Sequence, residues 1–104
     1  MTLDRQAFRA WLVSLGHQKC GIGMNACACP VYQFLKSQGV NPVGVTSFGY
    51  TVYVGGDGAW RDHDTHLHPD WVRAFITEVD AAHGHEPVPA TAALAILDTI
   101  GEPT

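Results

Sequence analysis

The hydrophobic period of this chain changes twice along its length, and that change restricts the fold more than any single residue does. From residue 3, LDRQAFRAWLVSLG places Phe8, Trp11, Leu12 and Leu15 at i, i+3, i+4 and i+7, the stripe of an amphipathic helix. Between residues 43 and 54 the period falls to two. Val43, Val45, Tyr50, Val52 and Val54 alternate with small or polar neighbours, as half-buried strands do. From Pro69 the helical spacing returns, with Trp71 or Val72, Phe75, Ile76 and Val79 on one face.

Local signals place the boundaries. Asp4 suits the positive amino end of the first helix and Gly16 its C′ position. A loop is expected through residue 28, loosened by Gly21 and Gly23, before Pro30 opens a second helix that buries Val31, Phe34 and Leu35 and stops at Gly39. The strands are expected to turn near Phe48-Gly49. A second turn at Gly55-Gly56-Asp57-Gly58 would lead Trp60 into a short third strand. Gly84 ends the third helix, residues 87–89 read as a linker, and ATAALAILDTIG reads as a fourth helix with Leu94, Leu97 and Ile100 inward.

The order α-α-β-β-(β)-α-α predicts a small single-domain α+β fold, with a two- or three-stranded antiparallel sheet packed against three or four helices. Residues 1–86 form the expected core domain, and residues 87–104 a C-terminal helix packed on it or mediating contacts. So small a sheet should keep an open edge, where a partner or a second copy could pair to give a homodimer.

Length and charge exclude several classes. At 104 residues and 46% hydrophobic, the chain suffices for one core. A net charge of −4 with six scattered Lys and Arg lacks the clustered positive charge of a nucleic-acid surface. No apolar run reaches the ~18 residues of a membrane span, and MTLDRQAFRAW does not read as a signal peptide. A cytoplasmic location without membrane contact is therefore expected.

The run Cys27, Cys29, Pro30, Val31, Phe34, Leu35 has the form C-x-C-P-[VL]-x-x-[FY]-L. It is followed by Val43-Gly44-Val45 and then by Pro69, Trp71, Phe75, Ile76, Val79 and Asp80. This order, over about residues 3 to 81, resembles a group of small proteins of high-GC bacteria, cyanobacteria and their phages. The resemblance implies a compact fold and a short chain, and it brings no activity.

Chemistry could reside in the three cysteines, an odd number that cannot all pair internally. In the plainest reading they are core residues, with Cys29 at the N-cap before Pro30 and with Cys27 and Cys29, two apart, pointing the same way. In a second reading Cys29 is a nucleophile, its thiolate favoured by the helix amino end. His66 or His68 would then be the base, oriented by Asp62, Asp64 or Asp70. That chain order is similar to papain-type thiol hydrolases, but those place the histidine on a strand, whereas these histidines are expected in a polar loop. In a third reading Cys20, Cys27 and Cys29 bind structural zinc with His63 or another of His17, His66 and His68, although C-x6-C-x-C lacks the usual C-x2-C knuckle. THLHPDW, residues 65 to 71, also resembles the H-x-H-x-D-H metal motif of the metallo-β-lactamase fold. Trp71 stands where the last histidine belongs, and a helix start at Pro69 accounts for the same residues.

With no complete catalytic constellation, the sequence is read as a non-enzymatic protein-binding or regulatory accessory protein without a cofactor, encoded by a phage or mobile element and acting on a host protein. The expected docking surface is a sheet edge near Tyr50–Val54 with the turn and acidic loop that follow. Trp60 would be the aromatic anchor, and Tyr50, Asp57, Asp62 and Asp64 its neighbours. A thiol enzyme is the alternative and a zinc protein the third reading.

Overall fold

A computed structural model describes residues 3–55 and 62–100. The fold is α+β: four helices packed with two antiparallel sheets, one of two strands and one of three. Helix α1 (Arg5–Leu15) is capped by Asp4, whose side chain accepts from the Gln6 N–H, and its stripe buries Phe8 and Leu12. Helix α2 (Pro30–Ser37) starts on Pro30 and buries Val31, Phe34 and Leu35. Helix α3 (Asp70–His83) buries Trp71, Val72, Phe75, Ile76 and Val79 and ends at Gly84, whose φ of 57° suits a residue without Cβ. The rings meet at Phe8, whose centroid lies 5.1–5.8 Å from those of Trp11, Phe34, Trp71 and Phe75.

The larger sheet takes the order β2 (Pro42–Val45), β3 (Gly49–Gly55), β4 (Asp62–Leu67). The β2–β3 turn forms as expected. Thr46 N–H donates to Gly49 O at 2.9 Å, and the Thr46 hydroxyl accepts from the N–H groups of Phe48 and Gly49. Three expectations need correction. Tyr50–Val54 is not an edge, because β3 is the central strand, hydrogen-bonded on both sides. The stretch holding His66 is not a loop but strand β4. Val43 faces outward, because a register shift between Pro42 and Gly44 breaks the alternation and turns Pro42 inward instead. The Asp57 turn and Trp60 lie outside the described residues.

The second sheet is absent from the expected order. Residues read as a loop and a linker pair as β1 (Lys19–Ile22) and β5 (Pro87–Pro89). This pairing draws the end of the chain into the core. Helix α4 (Ala90–Thr99) follows β5 and packs on α1, and Val88, Ala90, Ala93 and Leu97 have no solvent exposure. The Arg5 guanidinium donates to Leu97 O at 2.7 Å and Ile100 O at 2.8 Å, satisfying carbonyls at the end of α4. No helix of the described residues is long and apolar enough to cross a membrane.

Candidate functional site

The three cysteines stand in three different environments. Cys20 on β1 is buried, its thiol donates to Val88 O at 3.4 Å, and burial pushes its pKa up to about 12. Cys29 is the N-cap of α2 with extended backbone (φ −67°, ψ 164°) and is also buried. Burial raises its pKa most. The N–H groups of Tyr32 and Val31 pull it back, and the Asp80 carboxylate pushes it up again. The helix amino end therefore acts in the expected direction and loses to desolvation. Cys27 is exposed, with its thiol 3.5 Å from Val43 O.

Cys27 and Cys29 do not point the same way, which corrects the expectation from their spacing. They do not follow one another along an extended strand. Residues 25–29 turn: Ala28 and Cys29 N–H both donate to Asn25 O, and Cys27 N–H donates to the Asn25 side chain at 3.0 Å. Among the described residues, no three His, Cys, Asp or Glu side chains gather as a metal-holding group. Cys20, Cys27 and Cys29 are thus split between core and surface, and the side chain of His63 lies outside the described residues.

Cys29 borders an open cavity of about 270 Å3 that is also lined by Met24, Asn25, Val45, Thr46 and Asp80. Met24 holds a φ of 53°, unusual for a side chain of its size, and its N–H donates to Asp80 Oδ1 at 2.9 Å. The carboxylate near the thiol is thereby committed to the backbone. It raises the thiol pKa, the opposite of what a nucleophile needs.

The histidines named as bases are engaged elsewhere. His68 is 7% exposed, and its Nε2 lies 2.9 Å from Thr46 O. Burial first, and then Arg73, lower its pKa, so the ring is neutral and Nε2 donates. Its backbone N–H donates to Phe48 O at 2.8 Å. His68 thus fastens the β2–β3 turn to the start of α3. His66, paired with Tyr50 across β3 and β4, stacks on that ring at 4.9 Å and lies 3.3 Å from Asp64 Oδ2. Tyr50 is 4% exposed, and burial, followed by the Asp64 charge, raises its pKa. The histidines, Tyr50 and Asp64 are thus brought together as one face of the sheet, while Cys29 belongs to the cavity between the 24–26 turn, the end of β2 and α3. Of the remaining expected binding residues, Asp62 begins β4.

The surface that stands out carries residues the sequence reading passed over. Phe48 is 65% and Leu67 79% exposed. Gly49 pairs with Leu67 and Phe48 O accepts from His68 N–H, so the two side chains occupy the same end of the sheet. The Arg73 guanidinium lies 5.7 Å from the Phe48 ring centroid. The β2 side of the sheet is covered, since Val45 N–H donates to Ala26 O at 2.8 Å. On the other side β4 is the last strand among the described residues. Its alternation of Asp64, His66 and His68 with Thr65 and Leu67 was the available signal, hidden because the inward face is built from histidines rather than aliphatics. No protein-family model matches the chain, and comparisons with curated proteins and with solved structures give no match.

Proposed function

We propose that this chain is a small protein-binding module that takes an extended segment of a partner protein along β4, anchored on Phe48 and Leu67. The observation that carries this reading is the placing, among the described residues, of the two most exposed large apolar side chains beside β4, which carries no further strand among those residues. Such an edge offers main-chain donors and acceptors for strand addition, and adjacent apolar side chains give it anchors. The net charge of −4 and the exposed Asp64 favour a partner segment carrying Lys or Arg. A regulatory accessory role on a host protein is compatible with this mode. The thiol-enzyme reading draws no support from Cys29, whose surroundings favour the protonated thiol, nor from His68, whose Nε2 is taken by Thr46.

The test is selection of random displayed peptides on the immobilised chain, with subtraction on a Leu67→Asp variant. Enrichment of basic peptides rich in β-branched or aromatic residues, lost on Leu67→Asp and on Phe48→Ser, is the expected result. Peptides that bind wild type and both variants equally would remove this surface from the account.

A further inference from the structure

A second surface carries a different chemistry. Between α1, β1 and α2 lies a groove of about 640 Å3, inside the ~300–1,000 Å3 of small-molecule sites. Its apolar part is formed by Trp11, Leu15 and Ile22, all half-buried, over the buried Cys20. Its rim carries Lys19 and Lys36, the only two lysines of the chain. The chain holds ten Asp and Glu, yet none of them lines this groove among the described residues.

Of the described arginines, Arg5 holds the end of α4 and Arg9 pairs with Asp98 at 2.9 Å, while Arg73 lies over the Phe48 ring far from this groove. Among the described residues neither lysine has a carboxylate within 4.0 Å. The Lys36 ammonium lies 5.8 Å from the centroid of the Tyr32 ring. A position in the last turn of α2 would account for Lys36 alone, through the helix dipole. It does not account for Lys19, which comes from a strand and meets Lys36 across an apolar trough. Two unopposed ammonium groups over aromatic and aliphatic surface complement a ligand with one anionic head and one apolar body.

We infer that this groove binds a small amphipathic carboxylate, its head held by Lys19 and Lys36 and its body laid along Trp11, Leu15 and Ile22. Gln33, on the α2 wall, can donate to the same head through its side-chain amide. The site lies apart from the β4 surface and does not depend on it.

Titration of the 15N-labelled full chain with sodium decanoate, followed by amide shifts, tests the inference, with decanol as the uncharged control. Saturable shifts confined to residues 11–22 and 33–37 are expected, with decanol at least about tenfold weaker, the loss of roughly one charge-assisted contact. The Lys19→Gln/Lys36→Gln double variant should melt like wild type and bind decanoate at least about tenfold more weakly, while Lys19→Arg/Lys36→Arg retains binding. Equal affinity in the double glutamine variant, equal affinity for decanol, or shifts centred on Phe48 and Leu67 would each overturn it. So would concentration-dependent shifts at the groove without ligand, which would mean that a second copy of the chain occupies it.

Discussion

The two sheets of this molecule use the same backbone pairing for opposite ends. The β1–β5 pair is enclosed: Cys20 is 2% and Val88 0% exposed, and its short partner strand carries prolines at both ends. It ties the last stretch of the chain to the first helices and gives Cys20 and Val88 to the core, while Lys19, Ile22 and Pro87 line the groove beside it. The β2–β3–β4 sheet buries Val45 and Tyr50 but leaves Phe48 and Leu67 to solvent, with β4 its outer strand among the described residues. Because the enclosed pair and α4 complete the core, the open sheet can keep apolar side chains outside without endangering the fold. Surface available for binding is surface the core does not need.

One substitution applied to both sheets gives the largest contrast. Val88→Asp places a carboxylate where no solvent reaches, and should cost about 3–5 kcal/mol of unfolding free energy, read from urea melts. Leu67→Asp changes a side chain that is 79% exposed and should stay within ~0.5 kcal/mol of wild type. Similar losses from the two would dissolve the distinction between the sheets.

The thiols sharpen the same contrast at intermediate size. Cys29→Ala removes a buried side chain that faces the Val31 and Tyr32 N–H groups and should cost about 1–3 kcal/mol, whereas Cys27→Ala, at the surface, should cost little. Iodoacetamide at pH 7 should modify Cys27 well before Cys20 or Cys29, as mapped by peptide mass spectrometry. Rapid labelling of Cys29 at pH 6 would reverse the reading of its surroundings.

Acid and alkali address the sheets separately. The Cys20 thiol, raised to about 12 in the folded chain against 9.0 for a free thiol, keeps its proton where the unfolded chain has lost it. Its contribution to stability is therefore complete below pH 9 and declines from there toward 12, with a slope of at most about 1.4 kcal/mol per pH unit. Cys20→Ala should flatten that alkaline decline. His68 behaves in the opposite sense. Its folded pKa lies below 6.5, so the unfolded state binds the extra proton, and stability is complete above pH 6.5 and falls as pH drops below it. An NMR titration in which His68 protonates at or above 6.5 would contradict its place in the β2–β3 turn.

How much of this could be read from the chain follows from what each element is made of. Helices α1, α2 and α3 declared themselves through apolar stripes and their stop glycines, since each buries one continuous face. β2 and β3 were legible from their valines, apart from Val43, which a backbone irregularity turned outward. β1 and β5 were not, because four residues containing a glycine and three containing two prolines carry too few side chains to display a period. β4 was hidden by composition, since DHDTHL lays the half-exposed His66 on Tyr50 instead of an aliphatic row. Placing β4 beside β3 is also what moved the open edge away from Tyr50–Val54. The cysteines drew attention through their clustering, but a turn centred on Asn25 separates Cys27 from Cys29, a distinction spacing alone does not carry. Exposure of Phe48 and Leu67 depends on which strand is outermost, which no local pattern encodes.

The central claim is that an extended partner segment pairs with β4. Hydrogen–deuterium exchange resolved along the chain, with and without a peptide from the display selection, tests it most directly. Slowed exchange of amides within 62–67, with β2 and the β1–β5 pair unaffected, is the predicted result. Protection absent from β4 while the peptide is bound would contradict it.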